Sequence, residues 1–160
     1  MKKFERQKHA GLDSLRHAPG ACSCQKLRGA SRAVTKMYDH CLRPTGLTIG
    51  QYSVLAALYY VPSVPLRKLA TRLEMDRTTL SRSLSRLEQG ELVSITLDPE
   101  DTRVRLISIT DAGLEKLIAA RPYWSKAQEV LREALGARGL NDFRKSLDGA
   151  IVALMDDQSS

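Results

Sequence analysis

Apolar positions recur at helical intervals over most of this chain and give way to a β-branched pattern only near its middle. From Cys24 to Leu42 the residues Leu27, Ala30, Val34, Met37, Tyr38 and Leu42 keep helical spacing, and Pro44 ends the run. Thr48-Ile-Gly-Gln51 has the form of a capping box, with Leu47 set to staple onto Tyr52, and it opens a helix reaching about Tyr60. Pro62 and Pro65 bracket a turn before a short helix over Leu66–Glu74. Asp76 is a favourable N-cap for a helix over 77–89, Met75 can staple onto Leu80, and Gly90 stands where glycine stops helices at C′. Leu92–Leu97 and Val104–Ile109 are β-branched-rich runs joined by a polar turn, which predicts a hairpin. Thr110 then caps a long helix bearing Leu114, Leu117, Ile118, Trp124, Leu131 and Leu135, with Pro122 expected to kink it. Gly136 and Gly139 break the pattern, and a last helix from Asn141 to about residue 155 carries Phe143, Leu147, Ile151 and Leu154.

This order predicts a mainly α protein. Residues 48–110 form a winged helix-turn-helix with a two-stranded β-wing, and 24–44 and 111–155 supply flanking helices that form a dimerisation region. Residues 1–23, with mixed charge and a Pro19-Gly20 turn, read as a flexible basic arm ahead of a single domain over 24–155.

At about 100° per residue, Leu80, Leu84 and Leu87 stack on one face of the 77–89 helix, while Thr78, Arg82, Ser85 and Arg86 fall opposite. Taken alone, such a helix is a solvated amphipathic element. Followed directly by a hairpin tipped with Asp98-Pro-Glu-Asp-Thr-Arg103, it suits a DNA major groove, where arginine forks onto guanine and hydroxyls serve phosphates or base edges.

Composition refines this picture in three ways. With 160 residues and 42% hydrophobic content, the chain is long enough for one well-buried core. The net charge of +7 is uneven: residues 1–45 hold ten Lys or Arg against three acids, and the remainder holds fifteen of each sign. The high pI therefore comes from the N-terminal segment, either as a source of non-specific phosphate attraction or as a solubilising leader. Apolar runs are too short for a bilayer and no apolar stretch follows the basic start, so a cytoplasmic protein without membrane contact is expected. Enzyme chemistry is not expected either. There is no phosphate-cradling glycine loop, no Gly-x-Ser-x-Gly and no HExxH, and the Asp98–Asp101 acids sit on a polar hairpin tip without tuning burial. No cofactor and no metal are expected.

Six segments in order resemble the multiple-antibiotic-resistance regulator (MarR) family of winged-helix repressors. They are Leu47-Thr-Ile-Gly-Gln-Tyr-Ser-Val-Leu55, Leu66-Arg-Lys-Leu-Ala70, Arg77-Thr-Thr-Leu-Ser-Arg82, Leu87-Glu-Gln-Gly-Glu-Leu-Val93, Asp98-Pro-Glu-Asp-Thr-Arg103 and Ile109-Thr-Asp-Ala-Gly113. The resemblance implies a homodimer on a pseudo-palindromic double-stranded DNA operator, with a small-molecule or redox input near the joint between DNA-reading and dimerisation regions. By this match Arg77, Thr78, Thr79, Ser81, Arg82 and Arg86 lie in or along the major groove, and Arg103 reaches a minor groove. Asp101 either orients Arg103 or tightens the wing as an Asx-turn. The segment Cys22-Ser-Cys24 departs from the general pattern of the family.

Two further groups carry candidate chemistry. Tyr38, Arg43, Gln51, Tyr52 and Tyr59 offer aromatic faces, a cation and polar anchors suited to an aromatic or phenolic acid effector; each also reads as an ordinary core or surface residue. Cys22, Cys24 and Cys41 leave three readings open. With Ser23 capping the first helix, Cys24 lies near Lys26 and Arg28 as a redox-sensing thiolate. A Cys/His metal site with His17 and His40 is the second, and incidental packing the third. The expected function is thus a ligand-released repressor; the alternatives are a redox-sensing version of the scaffold and a winged helix used for protein–protein assembly.

Overall fold

A computed structural model describes residues 22–156. Its elements are α1 (Ser23–Leu42), α2 (Ile49–Tyr59), β1 (Val64–Pro65), α3 (Leu66–Arg72), α4 (Arg77–Gln89), β2 (Val93–Leu97), β3 (Arg105–Ile109), α5 (Asp111–Leu135) and α6 (Ala137–Asp156). A single 3₁₀ turn, Arg43–Thr45, follows α1, and Gly46 closes it at φ 73°, a left-handed conformation that glycine adopts without Cβ strain. The chain falls into two packing units divided inside α1 after Val34. Within the first unit the described part is the start of α1, on which Leu27 and Ala30 are exposed. Most of the arm expected over 1–23 lies outside the described residues.

The second unit is built around α2. Unlike its neighbours, this helix is apolar on almost every face, and Tyr52, Val54, Leu55, Ala57 and Leu58 are all buried. It packs on α4, α5 and β3, so one short element connects the helix-turn-helix, the wing and the long C-terminal helix. Leu42, Leu55, Leu58, Leu69, Leu80, Leu87 and Ile107 are completely enclosed where these elements meet.

Side-chain caps set the starts of α2, α4 and α5 as expected. Thr48 accepts the Gln51 amide while the Gln51 side chain accepts the Thr48 amide, completing the capping box. A third contact is not local: Asp39 of α1 accepts the Ile49 amide at 2.7 Å, adding a carboxylate to the positive end of α2. Asp76 caps α4 through the Thr79 amide at 2.8 Å, and Thr110 caps α5 through the Gly113 amide at 3.0 Å.

Several expectations are corrected. The expected two-stranded wing is present as the β2–β3 hairpin, and β1 adds an unforeseen third strand, giving an antiparallel sheet of order β1-β3-β2 in which Val64 pairs with Ile107 and Pro65 with Leu106. Pro65 is tolerated because β1 is an edge strand. Gly90 is not the left-handed residue after α4: its φ is −87°, and Glu91 takes φ 56° instead. Gly139 does not break the last helix, which begins at Ala137 rather than Asn141; Gly136, at φ 69°, makes the break alone. Pro122 is accommodated inside an unbroken α5.

Candidate nucleic-acid interface

The leucine stripe of α4 is buried and turns the rest of the helix outward. Arg77, Thr78, Thr79, Ser81, Arg82, Ser85 and Arg86 are all exposed. The Thr79 hydroxyl, however, donates to Asp76 Oδ2 at 2.6 Å, so its proton is committed to the cap. Those cap bonds, the hydroxyl first and the Thr79 amide second, hold the Asp76 carboxyl below its ordinary pKa. A small cleft of about 100 Å³ separates α4 from the start of α2, lined by Thr48, Gln51, Thr79, Arg82, Ser83 and Arg86. Two guanidinium groups and several hydroxyls thus converge beside a helix N-terminus, an arrangement that favours anions.

At the wing tip, Asp98 accepts the Glu100 amide at 2.9 Å and Asp101 the Arg103 amide at 3.0 Å. Of the two roles considered for Asp101, the turn-tightening one is the bond observed; its carbonyl also accepts the Val104 amide at 2.8 Å. Arg103 is exposed beyond this turn.

The residues considered for a small ligand do not gather in one place. Tyr52 and Tyr59 line a cavity of about 520 Å³ between α2 and α5, together with Tyr60, Ile118, Arg121 and Trp124. Tyr52 stacks on Trp124 with ring centres 5.8 Å apart and planes within 14°, and Tyr59 meets Tyr60 edge-on at 5.2 Å. Burial raises the Tyr52 pKa, against a smaller opposing effect of Arg121. Tyr38 is buried elsewhere, its pKa raised by burial against Arg144, while Arg43 is exposed in the 3₁₀ turn. Gln51 belongs to the capping box and the α4 cleft. The cation of the cavity is therefore Arg121, which sequence reasoning passed over. Its signal was present: Leu114, Leu117, Ile118 and Arg121 follow one helical stripe, so the arginine shares the face of the apolar residues.

Cys22, Cys24 and Cys41 are free thiols, the first two exposed. Cys22 rather than Ser23 stands at the start of α1, its carbonyl accepting the Lys26 amide at 3.1 Å. A bridge between Cys24 and Cys41 would require α1 to unwind, because an α-helix advances about 1.5 Å per residue and both thiols are on that helix. Among the described residues no group of His, Cys, Asp and Glu is arranged to hold a metal; His17 lies outside them. No helix among the described residues is long and apolar enough to cross a membrane.

The family model described as MarR matches residues 47–104, the stretch from the α2 capping box to the wing. The Staphylococcus aureus regulator MgrA, described as an HTH-type transcriptional regulator, is 31% identical over 112 residues, covering 69% of this chain and 74% of that protein. The organic hydroperoxide resistance transcriptional regulator of Bacillus subtilis is 34% identical over 90 residues, 56% of this chain and 61% of its own. In structure, the Mycobacterium tuberculosis transcriptional regulator MosR, solved in complex with DNA, superposes with a TM-score of 0.70 at 31% identity, over 82% of this chain and 98% of that one.

Proposed function

The chain belongs to the MarR family of winged-helix, DNA-binding transcriptional regulators, and we propose that it works as a homodimeric repressor released from a pseudo-palindromic operator by a small aromatic acid. The observation that carries this reading is α4 itself. Its leucine stripe is locked into the core, and Arg82 and Arg86 stand exposed beside the start of α2. In the proposed complex α4 lies in the major groove, with Arg82 on a base edge and Arg77, Thr78, Ser81 and Arg86 along the groove. Arg103 enters the flanking minor groove, with Asp101 fixing the turn that presents it. The relatives described above are named as transcriptional regulators rather than enzymes. Such a protein works in the cytoplasm, where its operator is.

The effector site proposed is the cavity between α2 and α5. Stacked and edge-on aromatic rings suit a flat ligand, and Arg121 supplies the charge for a carboxylate. Dimerisation is supported by the apolar stripe of α6. Leu140 is 5% exposed, Phe143, Leu147 and Ile151 are half-buried, and Leu154 is 69% exposed. A stripe that loses its cover along the helix is suited to a second copy. An oxidative input is favoured as a second reading by the exposed Cys22 and Cys24 and by the hydroperoxide regulator among the relatives. The bridge would then be intermolecular.

The test is selection of duplexes from a random pool by the full-length protein, followed by titration of the bound duplex with benzoates, with aliphatic acids of equal charge and with peroxide. Enrichment of a palindrome and its release by benzoates alone is expected. Release by peroxide alone would favour the oxidative reading, and failure to enrich any sequence would reject both.

A further inference from the structure

We propose that the cleft between α4 and the wing seats one phosphate of the DNA backbone, held by the Arg105 guanidinium with the hydroxyls of Ser81 and Ser85. This inference rests on the reading that α4 occupies the major groove while Arg103 reaches the adjacent minor groove. Those grooves are separated by a sugar–phosphate strand, so a protein reading both must straddle one. The surface that straddles it is the space between α4 and the β2–β3 hairpin.

That space is a cleft of about 190 Å³, with room for several water molecules and hence for a phosphodiester group. Alternate residues of a strand share a face, so Arg105 points to the same side as Ile107, which is completely buried. Ile107 pairs with Ile95, and Arg105 with Leu97, two residues nearer the wing tip, where the sheet leaves the core. On α4, Ser81, Ser85 and Glu88 are spaced four and three residues apart and form one row along the cleft. Leu84, Ile95 and Ile107 make its apolar floor. The Glu88 carboxylate repels an anion from the C-terminal end of this row and leaves the two hydroxyls and Arg105 as the seat.

No ion pair between described residues engages this guanidinium: the pairs are Arg132–Glu129 and Arg138–Asp142. Ser81, placed along the groove above, is thereby assigned to the backbone that borders it. Arg105 fixes the register of α4 on the duplex and reads no base.

The experiment compares wild-type full-length protein with Arg105→Ala, Arg105→Lys and Ser85→Ala on the selected duplex, over about 50–200 mM salt. Arg105→Ala should lower the slope of log affinity against log salt by about 0.9 for each phosphate that the protein no longer neutralises. Its affinity at fixed salt should fall roughly tenfold or more, as expected when a hydrogen bond to a charged group is removed. The ranking of duplexes with single base-pair changes should stay as in the wild type. Arg105→Lys should recover the slope, since charge rather than fork geometry neutralises the phosphate. Ser85→Ala should weaken binding without moving the slope, because a hydroxyl releases no counterion. Unchanged thermal unfolding of all three variants excludes a folding defect. An Arg105→Ala slope equal to that of the wild type overturns the proposal, as does a changed base ranking, which would put Arg105 on a base edge. A wild type without salt-dependent duplex binding would instead remove the DNA reading itself, and this assignment with it.

Discussion

Gly113 is the position where the fold leaves room for one residue type. A Cβ there would stand 2.0 Å from the Leu92 carbonyl oxygen, a backbone atom with no rotamer to escape into, and 2.9 Å from Ile109 Cγ1. The start of α5 rests on the end of the α4–β2 loop, and the Thr110 amide also bonds Leu92 O, at 3.2 Å. Gly113→Ala is expected to destabilise the protein by roughly 3 kcal/mol or more, measured by urea unfolding; a loss below about 1 kcal/mol would mean that α5 slides freely on this loop. The opposite sign is expected at Glu91, which holds φ 56° without being glycine. Glu91→Gly removes the left-handed penalty of about 1–2 kcal/mol and adds up to about 1 kcal/mol of chain entropy, for a small net gain. In the interface, Arg82→Ala should lose base discrimination by about 1–3 kcal/mol per half-site. Footprints with unchanged base preference would show that α4 is misplaced in the groove. The outward side chains of α4 were legible in the sequence because a helix converts spacing into direction. The bonds they make were less so: Thr79 is spent on its cap, and Arg105 is singled out only once β3 folds beside α4.

At the scale of elements, what was legible is what is local. Thr48, Asp76 and Thr110 each satisfy amides three residues away, so the sequence contains both partners of the bond. Thr110→Ala should cost about 1 kcal/mol and lower the unfolding midpoint without altering DNA sequence preference. The Asp76 cap has a pH signature. A carboxylate whose folded pKa is depressed lends stability above its ordinary pKa, and that stability is lost as pH falls through the folded value. The protection of the Thr79 and Leu80 amides, taken relative to free-peptide exchange at the same pH, should therefore fall as pH drops below about 3.9, the ordinary aspartate value, and Asp76→Asn should abolish that acid step. If that protection stays constant through that range in the wild type, the cap does not hold α4. Non-local pairings were not legible. Val64–Pro65 is two residues long and its partner strand lies some forty residues away, so neither periodicity nor propensity marks it. Asp39 on the Ile49 amide and Trp124 on Tyr52 are of the same kind. Gly139 misled for a different reason: glycine inside a helix costs only about 1 kcal/mol against alanine, which the surrounding helix tolerates.

For the whole molecule, the proposed assembly rests on the half-covered stripe of α6. Leu154→Glu should convert the proposed dimer to monomer by light scattering and abolish operator binding, since one half-site alone binds weakly. A Leu154→Glu protein that stays dimeric would place the interface elsewhere. Helix α2 borders both proposed sites. Gln51, in its first turn, faces the cleft beside α4, and its neighbour Tyr52 forms part of the aromatic cavity. With only eleven residues, α2 offers no flexible joint between these two surfaces. Alleles in and just before this helix should accordingly sort by which of the two surfaces the side chain reaches. Substitutions on the Tyr52, Ala56 and Tyr59 side should yield repressors blind to inducer, and those at Thr48 and Gln51 should yield constitutive expression. The core positions between them, Val54, Leu55 and Leu58, should yield mainly loss of protein.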